Sequence, residues 1–89
     1  MELTQYLKAL PPGEAAAFAE RCGVTFRHLQ NITYGERQAS PALAVAMERE
    51  SGGVVTRKES RPDDWWAHWL DIPGADRERA HAKRAKGVA

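Results

Sequence analysis

Glycine and proline interrupt this chain so often that only short elements fit between them: Pro11-Pro12-Gly13, Gly23, Gly35, Pro41, Gly52-Gly53 and Pro73-Gly74. Proline bars helical geometry in the residue before it, and glycine accepts the left-handed conformation that closes helices. What lies between the breakers carries the helical period. Leu3, Tyr6, Leu7 and Leu10 recur at i, i+3, i+4 and i+7, one face of a short helix. Pro12 suits the first turn of a second, alanine-rich helix (Ala15, Ala16, Ala17, Ala19), with Glu14 favourable at its positive end and Gly23 as its stop. Thr25 is placed as the N-cap of a third helix reaching Thr33, which Tyr34-Gly35 closes. Ser40-Pro41 opens a fourth, with Leu43 and Met47 facing inward and Gly52-Gly53 as its end. Thr56 and Glu59 have the spacing of a capping box, and Asp63 is placed to cap a last short helix carrying Trp65, Trp66 and Trp69. No segment alternates as a strand does. The expected fold class is all-α: a bundle of four to five short helices.

A chain of 89 residues, 43% hydrophobic and 28% charged, holds one small domain. It buries only about 60% of its unfolded surface, which leaves a modest core and a use for a partner. The formal net charge of +1 conceals an asymmetry. Residues 1–53 and 54–75 each sum to −1, whereas 76–89 sum to +3. We therefore divide the chain into a body, residues 1–72, and a basic tail, residues 73–89, readable either as a frayed helix or as disorder. The lone Cys22 excludes an internal disulfide and a cysteine-based zinc site, which favours a cytoplasmic setting. Apolar runs stop at Ala15–Ala19 and Ala42–Met47, so no membrane span is expected, and no secretory leader is legible.

Two short helices joined by a tight glycine turn are the trace of a helix-turn-helix. Gly23 supplies the turn, Ala19 a small residue where helices cross, and Phe18, Cys22, Val24, Leu29 and Ile32 an apolar lining. With Leu29 and Ile32 inward, the 100° helical step turns Arg27 and Tyr34 outward, with Gln30 and Asn31 beside them. Thr25, at the start of the helix, and Phe26 and His28, on its flanks, complete the base-reading candidates. Arginine pairs bidentately with guanine, and Asn or Gln with adenine. Arg21 and Arg37 are candidates for phosphate contact, together with backbone N–H groups of the loop 35–39. In the tail, Arg77, Arg79, Lys83, Arg84 and Lys86 either follow a phosphate backbone or merely solubilise the end.

Several motifs, taken together, resemble a known family. They are A-L-P-P-G-E at 9–14, A-x-R-C-G-V at 19–24, Y-G-E-R-Q-A-S-P-A-L-A at 34–44, G-G-V-V-T-R at 52–57 and R-P-D-D-W at 61–65. The chain is similar over most of residues 7–66 to the prophage Cro/CI-like regulators of the YdaS type, small proteins described as regulators or antitoxins. The resemblance implies a λ-repressor-like helical bundle and sequence-specific binding to an operator. Relatives often carry a small residue at the position of Arg27, which would make that arginine a determinant particular to this protein.

Trp65, Trp66 and Trp69 cannot all face one small core, so they form a candidate dimer or partner surface. The histidines His28, His68 and His81 have no metal-ligand spacing, and no catalytic pairing or phosphate loop is present, so neither an enzyme nor a metal or other cofactor is expected. The expected partners are a double-stranded DNA operator, a second copy of the chain, and a toxin or other neighbouring-gene protein. Two functions remain open: a dimeric repressor on a pseudo-palindromic operator, or a protein-binding antitoxin or adaptor that uses the tryptophans and binds DNA weakly or not at all.

Overall fold

Seven short helices make up the regular structure of a computed structural model that describes residues 1–87, with side chains to residue 82. They are α1 (Leu3–Ala9), α2 (Glu14–Arg21), α3 (Phe26–Thr33), α4 (Pro41–Glu50), α5 (Arg57–Ser60), α6 (Trp65–His68) and α7 (Ala75–Gly87). No strand occurs among the described residues. The count exceeds the expected four to five because α5 and α6 are separate single turns and the C-terminal segment adds α7.

Local chemistry sets most of the boundaries. The hydroxyls of Thr25, Ser40 and Thr56 accept from the N–H groups of His28 (3.0 Å), Leu43 (3.1 Å) and Glu59 (3.1 Å). Glu59 returns the bond to the Thr56 N–H at 3.3 Å, completing the capping box. Each such cap contributes about 1 kcal/mol by satisfying an amide that has no helical partner. The stops share one geometry. Val24 N–H donates to Ala19 O and Gly23 N–H to Glu20 O, each at 3.0 Å, with Gly23 at φ +79°. This is a Schellman closure, and Gly35 and Gly52 repeat it at the ends of α3 and α4.

Two boundaries differ from expectation. α2 starts at Glu14, because Gly13 takes φ +86° and separates Pro12 from the helix. Asp63 is exposed and caps nothing; Asp64 occupies the N-cap position of α6 without a capping bond. Its carboxylate instead receives Arg61, Nε on Oδ1 at 2.9 Å and Nη2 on Oδ2 at 2.6 Å.

The core is built around Phe18, Leu29, Met47 and Val55, all fully buried, with Leu3, Ala19, Ala39 and Leu43. Burying each of the four larger side chains stabilises by about 1.5–3 kcal/mol. Tyr6 of α1 meets Phe18 edge-on at 5.0 Å between ring centroids, fastening α1 over α2. Val55 N–H donates to the buried Ser51 Oγ at 2.9 Å, which gives that polar side chain its partner.

Arginines fasten the C-terminal part to this core. Arg57 lies 2.5 Å from Glu48 Oε2, grips both carboxylate oxygens of Asp71, and stands over the Trp69 ring. Arg61 Nη1 donates to Ala39 O at 2.5 Å, and Arg79 Nη2 to Trp66 O at 2.8 Å. Within the tail that the sequence allows as frayed helix or disorder, Ala75–Gly87 is α7. Its first residue, Ala75, is buried, as is Trp65 of α6 against which α7 packs.

Candidate nucleic-acid interface

Leu29 is fully buried and Ile32 packs against the core, which fixes the rotation of α3. Arg27 and Tyr34 point to solvent, Tyr34 with 72% of its surface exposed. Gln30 and Asn31 are half-buried beside them, so the face is continuous but not uniformly open. Phe26 at the first helical position is exposed, an uncommon place for so large an apolar side chain. His28 is half-buried on the opposite flank. The Thr25 hydroxyl oxygen accepts the His28 N–H as a cap, which leaves its proton and one lone pair for other partners.

Arg37 and Arg21 are both exposed, and the Arg21 guanidinium stands 5.8 Å from the Phe18 ring centroid. Backbone N–H groups of the loop are less free than sequence suggested. Gly35 N–H donates to Ile32 O, and those of Glu36 and Arg37 both donate to Asn31 O. Any anion contact at that end of the loop therefore falls to the Arg37 side chain. Cys22 lies half-buried beneath the turn. Burial, then repulsion from Glu50, pushes its thiol above the ordinary 9.0, so at neutral pH it is a neutral packing group.

Folding adds residues that sequence spacing missed. Residues of α1 and α3, with Ala15 of α2, line an open cleft of about 350 Å³ that brings together Leu7, Lys8, Phe26, Gln30 and Tyr34 among others. Lys8 thereby joins the α3 face as an exposed cation. Nothing in local periodicity connects positions 8 and 30. Arg61, through Ala39 O, supports the loop that carries Arg37, and no short-range pattern announces that either.

The tryptophans divide. Trp65 is buried beneath α7 and Lys58, whose Nζ is 4.8 Å from its ring centroid. Trp66 and Trp69 are half-buried, and Leu70 beside them is 65% exposed. In the tail, Arg77 is exposed and Arg79 is engaged by Trp66; the side chains of Lys83, Arg84 and Lys86 lie outside the described residues. Among the described residues, no group of three His, Cys, Asp or Glu side chains is placed to hold a metal ion, and no helix is long and apolar enough to cross a membrane.

No family model matches the chain, and no curated protein matches it significantly.

Proposed function

We propose that this protein is a sequence-specific DNA-binding transcriptional regulator. In this reading α2, the Gly23 turn and α3 are a helix-turn-helix within a λ-repressor-like bundle, and α3 is the recognition helix. The observation that carries it is the division of α3: Leu29 and Ile32 anchor one side, while Arg27, Gln30, Asn31 and Tyr34 share the other. That outward set pairs guanidinium and carboxamide groups, the chemistry suited to guanine and adenine edges. The resemblance to the YdaS type adds the context of a Cro-like repressor at a prophage or toxin–antitoxin locus. The bound form is a homodimer on a pseudo-palindromic operator, with recognition helices about 34 Å apart. Repression follows from occupying the promoter.

Arg27→Ala and Gln30→Ala test the assignment, because neither residue belongs to the core. Each is expected to cost about 1–3 kcal/mol of discrimination at one base pair while far-UV circular dichroism stays unchanged. Sequence preference retained in both variants would remove α3 as the reader. The second reading is a protein-binding antitoxin or adaptor, favoured by exposed Leu70 beside half-buried Trp66 and Trp69. A shift in tryptophan fluorescence on adding a partner protein, with none on adding DNA, would select it.

A further inference from the structure

The geometry points to Phe26 as a reader of the thymine C5-methyl group. The inference rests on the DNA-binding reading and names a base feature that α3 recognises. Phe26 is the first residue of α3, and the N-terminal residues of a recognition helix are those that reach base edges. Although it is one of the largest apolar side chains of the domain, it leaves 39% of its surface exposed and takes no place in the core. It has no polar atom, so hydrogen bonds to a base edge are closed to it. The one apolar group in the major groove is the thymine methyl.

The surroundings fit a methyl. Phe26 shares the cleft between α1 and α3 with Leu7, Ala15 and Tyr34, so a methyl entering from the groove meets carbon on several sides. Gln30, one turn on and in the same cleft, offers the carboxamide that pairs with adenine N6 and N7. Four helical residues rise about 6 Å, one to two base-pair steps. The two side chains therefore read a thymine and an adenine within two base pairs of each other. Lys8, on the rim of the cleft, supplies a cation for the flanking phosphate.

The experiment uses the full chain and the duplex it enriches from a randomised pool, with each thymine replaced in turn by 2′-deoxyuridine, which removes only the methyl. Fluorescence anisotropy should find one thymine per half-site whose replacement weakens binding about four-fold, the factor that burial of one methyl, about 0.8 kcal/mol, gives at 25 °C. Phe26→Ala should bind the thymine and uracil duplexes equally, Phe26→Leu should keep part of the difference, and Arg27→Ala should keep all of it. Thymine and uracil bound equally by the wild type at every position would overturn the inference while leaving DNA binding intact. So would a Phe26→Ala variant, folded by circular dichroism, that retains the ratio. Failure to enrich any duplex would overturn the DNA-binding reading and this inference with it.

Discussion

Single residues in this protein divide between those a neighbour in sequence explains and those only the fold explains. Asp64 belongs to the first kind, with partners three and four positions away. Arg61 chiefly, and His68 at 3.2 Å in addition, holds its carboxyl below the ordinary 3.8. Glu59 is held low mainly by the Met1 ammonium at 2.6 Å and then by Thr56, and Asp71 mainly by Arg57. A carboxyl with a lowered pKa binds fewer protons folded than unfolded. Its stabilisation is thus complete above the unfolded pKa and is lost as pH falls through the folded one. Urea unfolding should show a plateau near neutrality and a decline below about pH 4, with Asp64→Asn flattening part of that decline. The Asp64 share is small, because the side chain is 34% exposed and exposed ion pairs contribute about 0–1 kcal/mol. Acid stability unchanged by Asp64→Asn would contradict it.

Elements were legible in sequence where their cause is local. Thr25, Ser40 and Thr56 cap the helices that their spacing announces, because a cap joins residues three apart. Gly23 closes α2 for the same kind of reason. Pro12 falls outside α2, contrary to its expected place in the first turn, because a proline at a first helical turn and a left-handed glycine before a helix leave similar traces in sequence. The fasteners of the C-terminal half were illegible: Arg61 to Ala39 spans 22 positions, Arg57 to Asp71 14, and Arg79 to Trp66 13. The outward polar face of α3 was legible as a pattern, whereas the cleft that sets Lys8 beside it depends on how α1 lies. At this scale Gly23→Ala is the informative change. A Cβ at Gly23 meets nothing within 4 Å, so the cost is purely the φ of +79°. The expected loss is about 1–2 kcal/mol by urea denaturation. A loss near zero would show that the turn does not require the left-handed conformation.

Across the whole molecule, charge and size bear on how DNA would be held. The body is near neutral, so attraction to a polyanion comes from a few placed cations and not from a general field. Arg21, Arg37 and Lys8 are exposed in the body and Arg77 in the tail, while Arg57, Arg61 and Arg79 are spent on internal bonds. A dimer that neutralises roughly six phosphates should lose affinity with log[salt] at a slope near −5. A flat response would argue for the protein-binding reading. The short dimensions, 25 and 20 Å, let two copies stand side by side on one duplex face at a spacing of about 34 Å. The most direct measurement is selection from a randomised duplex pool at near-physiological salt with the wild-type chain. The account predicts an enriched motif with two-fold symmetry and half-sites one helical turn apart; a pool that stays random through successive rounds would contradict it.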